Sequence, residues 1–277
     1  MNVGNVSRSN PMTNSFRANT QNNINQATQR LASGRRINTA ADDAAGLAIA
    51  TALEAQIRSL GRGADNVRDM GNLTRVAEGG LGAITENLMR VRELTLQAAN
   101  PIMGPAEHRS IQTEIDQNLR QIQNVAVNTE FNTIRLLDGN FADRHVAANP
   151  DGSGMQITIQ NATLEHLGLG NIDVTGGVEN LASNLAAIDN ALSMVVGARG
   201  EIGATQNRFD FNIQANEIAQ VNLAAARSRI ADADMALETK RLEQARVMQQ
   251  YQIFAMRSQM QRERENIGFV GISWQAQ

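Results

Sequence analysis

Residues 178–230, VENLASNLAAIDNALSMVVGARGEIGATQNRFDFNIQANEIAQVNLAAARSRI, carry Val178, Leu181, Leu185, Ile188, Leu192, Val195, Ile202, Phe209, Ile213, Leu223 and Ile230 in a helix-period apolar stripe. Such a stripe is the narrow seam of a coiled coil, and a seam needs a partner. The partner lies far away in sequence. Leu53, Ile57, Leu60, Ala64 and Val67, then Ile84, Leu88, Val91 and Ala98, repeat the pattern over residues 44–99. Each stretch is about 80 Å long at a rise of ~1.5 Å per residue. The sequence therefore predicts a mainly α protein: an elongated antiparallel helical bundle or coiled coil built from both chain ends.

Composition agrees. Only 3% of the 277 residues are aromatic, too few for a thick globular core of that size, and Ala, Leu, Ile and Val supply the apolar mass instead. A net charge of −3 argues against nucleic acid as a partner, because phosphate neutralisation needs clustered cations. Lys240 is the single lysine, and the arginines alternate with acids, as in Asp65 with Arg68 and Glu86 with Arg90, the pattern of solvated helix faces. No cysteine is present, which excludes disulfides, thiol nucleophiles and Cys-ligated metals. The N-terminus lacks the apolar core of a signal peptide, and no run of 18 apolar residues occurs, so neither signal-peptide secretion nor membrane insertion is expected.

Punctuation along the chain divides it into elements. A first helix is predicted from about Met12 to Ala32, with Phe16, Ile24, Ala27 and Leu31 on one face. Ser33-Gly34 ends it, and Asp42 or Asp43 caps the next. The long second helix holds Gly61, Gly63, Gly71, Gly79, Gly80 and Gly82, each costing up to ~1 kcal/mol, so neighbours must hold it or it bends. Pro101 to Pro105 form a turn. A third helix follows along Ile111, Ile115, Leu119, Ile122 and Ala126. Residues 138–177 carry turn signals around the alternating Met155, Ile157 and Ile159, which predicts a short strand or β-hairpin capping one end of the rod. A last helix runs from about Met235 to Glu265 through Leu242, Ala245, Met248, Met256 and Met260.

Catalytic patterns are missing. His108, His145 and His166 lack any metal-ligand spacing, so no metal or other cofactor is expected. Asp151-Gly-Ser153-Gly154 reads as a turn rather than a nucleophile elbow, and Gly79, Gly80 and Gly82 have neither the strand nor the Gly-Lys-Ser/Thr of a phosphate loop. The adjacent carboxylates Asp42 and Asp43 do not face each other across a substrate. An enzyme is not expected.

Leu31-Ala-Ser-Gly-Arg-Arg-Ile-Asn38, then Ala41-Asp-Asp-Ala-Ala-Gly-Leu-Ala-Ile49, closely resembles the N-terminal signature of bacterial flagellin. Arg90-Val-Arg-Glu-Leu94, Gln97-Ala-Ala-Asn100, Thr129-Glu-Phe-Asn132 and Leu136-Leu-Asp-Gly139 extend the resemblance, as do Gly203-Ala-Thr-Gln-Asn-Arg208 and Ala226-Arg-Ser-Arg-Ile-Ala-Asp-Ala-Asp-Met235 on the C-terminal side. The resemblance implies a short flagellin without large outer domains, a structural subunit that polymerises into the extracellular flagellar filament for motility. The runner-up within the same superfamily is a hook-filament junction or adaptor protein.

On that resemblance, 1–40 forms an N-terminal inner-tube helix and 41–137 the N-terminal half of a rod domain. Residues 138–177 form the short β/turn region, 178–232 the C-terminal rod half, and 233–277 the C-terminal inner-tube helix with a divergent tail. Rod packing falls to Leu53, Ile57, Leu60, Ile84, Leu88, Val91, Leu185, Ile188, Leu192, Ile202, Phe209 and Ile213. Implied partners are further copies of the chain, the flagellar type III export apparatus and export chaperone, and filament cap and junction proteins. Export by that apparatus explains secretion without a cleaved signal peptide. Arg90, Leu94 and Glu114 are implied contacts for the vertebrate innate flagellin receptor, although Met89 stands where the family commonly has glutamine. Both extreme ends depart from the family pattern, and Arg262, Glu263, Arg264 and Glu265 are expected to line a lumen or pair between subunits.

Overall fold

The computed structural model describes residues 11–176 and 179–273, and the side chains of 14–176 and 180–262 among them. Val178 of the predicted seam, the segment before Pro11 and Trp274 lie outside the described residues, and the expectations for the Glu263, Arg264 and Glu265 side chains are outside them too. The chain is mainly α. In order it forms α1 (Pro11–Ser33), α2 (Ala44–Ala98), α3 (Pro105–Asn128), β1 (Glu130–Phe131), β2 (Ile134–Arg135), β3 (Arg144–Ala147), β4 (Gly154–Ile157), α4 (Glu179–Ala231) and α5 (Met235–Ser273). Two compact units emerge, one from residues 1–54 and 223–277, the other from residues 55–222.

In the second unit, apolar faces of α2, α3 and α4 and the segment between α3 and α4 share one core. From α2 come Val67, Leu81, Ile84, Leu88, Val91 and Leu94; from α3, Ile111, Ile115, Leu119 and Ile122; from α4, Ile188, Val195, Ile202 and Phe209. Leu60 is also buried, whereas Ile57, Leu185, Leu192 and Ile213 are half-buried; Leu53, half-buried as well, belongs to the first unit. Hydroxyls that enter this core stay satisfied on their own helix: Thr85 donates to the Leu81 carbonyl and Thr95 to that of Val91.

Two antiparallel hairpins occupy the connection, where one was expected. The first, Glu130–Phe131 against Ile134–Arg135, precedes the predicted β region. Its two-residue turn holds Asn132 and Thr133 at φ 49° and 65°, the left-handed pair a tight hairpin requires. The second pairs Arg144 with Ile157 and Val146 with Met155.

This connection does not cap one end of the helices. It runs alongside them, because a two-stranded ribbon cannot bury its own apolar face and needs a helix to cover it. Asn66 of α2 donates to the Ala147 carbonyl at 3.0 Å and Asn216 of α4 to that of Ala148 at 2.9 Å. Gln123 of α3 accepts from the Leu164 amide, and Gln112 bridges residues 172–174, donating to the Ile172 carbonyl and accepting from the Val174 amide. Gly63 is required where Ala148 meets α2, since a Cβ there would sit 2.0 Å from the Ala148 carbonyl oxygen. The glycine-rich α2 is thus unbroken because neighbours hold it.

In the first unit, α1 ends at Gly34, whose φ of 68° carries its amide back to the Arg30 carbonyl at 2.8 Å. The loop after α1 then pairs with the loop after α4: Arg36 donates to Ala231, and Ala233 donates to Gly34. Asp43 caps α2 by accepting from the Gly46 amide at 2.8 Å. Asp42 does different work, accepting from the amides of Asn38 and Thr39 and the Thr39 hydroxyl. α1 and α5 pair antiparallel through Arg30 with Glu238, Gln21 with Gln249, Thr20 with Gln252 and Arg17 with Met256. Phe16 departs from expectation: it is exposed while Ala27, one face-mate, is buried. The last helix also continues to Ser273, past the predicted stop at Glu265.

Candidate self-assembly surfaces

Two helices carry more apolar surface than their own unit covers. On α4, Val195, Ile202 and Phe209 face the core. Phe211 lies about 200° further round at ~100° per residue, and Ile218 and Val221 continue on that outward side. Phe211 is 74% exposed, and Ile218 and Val221 are exposed as well. By length and composition α4 even qualifies to cross a membrane, a test that a soluble protein's core helix also passes. A helix apolar on both sides is one meant to be covered on both.

The same logic applies within the other unit. Leu242 and Ala245 of α5 are buried toward α1, whereas Val247, Tyr251 and Phe254 follow i, i+4, i+7 spacing on the opposite side. Phe254 is 72% exposed. Fully burying such a side chain contributes about 1.5–3 kcal/mol, so one three-residue stripe provides several kcal/mol. Association costs an estimated 4–15 kcal/mol in lost freedom, so several stripes must engage together. These two stripes escaped the sequence reading, though the 247-251-254 spacing was there to find.

The expected receptor contacts separate on inspection. Arg90 and Glu114 come together across α2 and α3, with the Arg90 Nε at 2.9 Å and an Nη at 2.6 Å from one carboxylate oxygen, while the other Nη reaches Glu93 at 3.2 Å. The hydrogen bonds that Arg90 donates to Glu114 and then to Glu93 raise its pKa above the ordinary value. Leu94 is instead 1% exposed and belongs to the core, so it is placed as a packing residue beneath the pair rather than a surface contact. A parallel link joins Arg92 of α2 to Asp189 of α4 at 2.7 Å.

The polar side chains Asp151, Ser153 and His145 of the β region are engaged in local contacts. Ser153 donates its hydroxyl (2.6 Å) and its amide (2.9 Å) to Asp151, which holds that carboxyl below the usual range, and the His145 ring nitrogen lies 3.0 Å from the Gly152 carbonyl. These bonds close a turn. Among the described residues no group of His, Asp and Glu is placed to hold a metal ion.

Comparison with known proteins agrees with this architecture. The family model for the bacterial flagellin N-terminal helical region matches residues 5–142, and that for the C-terminal helical region matches 185–267. A flagellin of Halalkalibacterium halodurans is 36% identical, over 82% of this chain and 86% of that relative. The flagellar filament 30.7 kDa core protein of Treponema maltophilum is 32% identical, over 86% and 89% respectively. Among solved structures, a putative flagellar hook-associated protein from Vibrio parahaemolyticus aligns with a TM-score of 0.57 at 18% identity, covering 69% of this chain and all of that one, and so shares the fold. With helical regions from both ends matched in order and only residues 143–184 between the two matches, this chain belongs to the bacterial flagellin family, in a form lacking large outer domains.

Proposed function

We propose that this chain is the main subunit of a flagellar filament that serves motility, and that the outward stripes of α4 and α5 are where successive copies grip one another. The observation that carries this reading is the apolar residue set Phe211, Ile218 and Val221 on α4 and Val247, Tyr251 and Phe254 on α5, left exposed on helices already packed on their other sides. Self-association of a heterologous kind, in which different patches meet, generates an open helical polymer. Subunits of this family act as structural filament material outside the cell, and no catalytic step is involved.

Export unfolded by the flagellar apparatus, escort by an export chaperone and contacts with cap and junction proteins complete the proposal. The test is electron microscopy of purified protein beside the double variant Tyr251→Asp, Phe254→Asp. Long regular fibres from the parent and none from the variant are expected; equal fibres from both would refute the gripping role. A junction or adaptor role draws support from the fold shared with the hook-associated protein. That role requires purified parent chain to give no long fibres at any concentration.

Recognition of the free subunit by the vertebrate innate receptor is a further part of the reading, with Arg90 and Glu114 as the surface contacts. Arg90→Ala should weaken receptor binding while leaving thermal unfolding nearly unchanged, because an exposed ion pair contributes only about 0–1 kcal/mol. Unaltered binding would remove Arg90 from that role.

A further inference from the structure

We propose that Met248, Met256 and Met260 are oxidisable thioethers spaced along the α1–α5 side of α5, converted to methionine sulfoxide by peroxide-class oxidants with loss of helix pairing. The α1–α5 seam is thinly built. Its buried apolar part is Ala27, Leu242 and Ala245, beside a Glu238 carboxylate held by Arg30 and Arg241. Toward the start of α1, the contacts become side-chain hydrogen bonds and thioethers. Gln249 donates to Gln21 at 3.0 Å, Gln252 donates to Thr20 at 2.9 Å, and Arg17 reaches the Met256 sulfur at 3.8 Å. Met248 lines the adjoining groove with Thr20, Ala27 and Ala245. At ~100° per residue, positions 248, 256 and 260 fall on the side of α5 that also carries Leu242 and Ala245.

Access and chemistry both favour these sulfurs. All three side chains are 43–55% exposed, whereas Met70, Met103 and Met155 are partly buried against the core of the other unit. The chain has no cysteine, so no thiol competes for the oxidant. In the reaction the thioether sulfur attacks one oxygen of hydrogen peroxide. An S–O bond forms, the O–O bond breaks, and the departing hydroxide takes up the remaining proton as water. Sulfur is oxidised by two electrons and peroxide is reduced. The product replaces a flexible apolar group and weak acceptor with a polar S=O, which draws water into the seam and redirects Arg17. Methionine sulfoxide reductases reverse the change.

The experiment treats the 277-residue monomer with graded hydrogen peroxide. Peptide mass spectrometry reads oxygen uptake at each methionine, and hydrogen exchange reads the α1 amides from Thr20 to Ala27. Uptake at Met248, Met256 and Met260 is expected to run about tenfold faster than at Met70 and Met103, as exposure dictates. Protection of the α1 amides should fall by about tenfold and return on treatment with sulfoxide reductase. The triple variant Met248→Leu, Met256→Leu, Met260→Leu should keep its α1 protection in peroxide although Met89, Met194 and Met235 still oxidise. Uniform uptake at all sites, unchanged α1 exchange in the oxidised chain, or an equal fall in the leucine variant would each overturn the inference. If that variant misfolds, reductase reversal on the native chain decides. The exchange readout is independent of polymerisation, so an untreated chain that makes no fibres counts against the filament proposal alone.

Discussion

Gly63 and Gly71 lie in the same helix, yet substituting each by alanine should move stability in opposite directions. At Gly71 a Cβ meets nothing within 4 Å. There Gly71→Ala removes backbone freedom from the unfolded chain and should stabilise by about 0.5–1 kcal/mol. At Gly63 the same Cβ would lie 2.0 Å from the Ala148 carbonyl oxygen and 2.6 Å from its carbon, and backbone cannot swing aside as a side chain does. Ala148 must retreat, and the bonds from Asn66 to Ala147 and from Asn216 to Ala148 go with it. Each such bond contributes roughly 1 kcal/mol net, and a buried amide left without an acceptor costs about 1–3 kcal/mol. Asn216 is the buried one. After the helix gain of about 1 kcal/mol is subtracted, Gly63→Ala should destabilise by about 1–3 kcal/mol. Urea unfolding of the monomer, followed by circular dichroism below the polymerising concentration, gives the two midpoints. Shifts of the same sign would show that the β3–β4 segment is not clasped between α2 and α4 as described.

Three further outcomes follow from individual contacts. Leu88→Ala, at a fully buried position, should cost about 2–5 kcal/mol, whereas Arg92→Ala, which breaks only the exposed pair with Asp189, should cost less than about 1 kcal/mol; denaturant midpoints that reverse this order would contradict the core assignment. Asp43→Ala should cost about 1 kcal/mol by uncapping α2, with fraying visible as faster amide exchange near Gly46, and unchanged exchange there would rule out the cap. Asp42 is held below the ordinary carboxylate range, first by the Thr39 amide and then by that of Asn38. Its folded pKa is thus lower than its unfolded one, so its contribution is complete above the unfolded value of about 4 and disappears as pH falls through the folded value. Amide chemical shifts of Asn38 and Thr39 should titrate below about pH 4 and lose that response in Asp42→Asn; a flat profile in the parent would disprove the link.

The helices were legible in the sequence because burial on one side imposes a 3.6-residue rhythm that no tertiary detail can hide. Hence Ile84, Leu88 and Val91, and likewise Ile188, Ile202 and Phe209, declare their face from spacing alone. Helix boundaries were legible for a similarly local reason, as in the stop at Gly34 and the start at Asp43. Leu94 shows the limit: its motif said contact, but whether a leucine on α2 meets solvent or α3 depends on where α3 lies.

The path of residues 136–174 was decided only in three dimensions. Its anchors, Gly63, Asn66, Gln112, Gln123 and Asn216, are single polar or small residues on three helices, and each becomes meaningful only when a particular carbonyl or amide arrives beside it. Periodicity reports which face of an element is buried because every turn repeats the signal, while a contact between distant segments is made once and leaves no period behind.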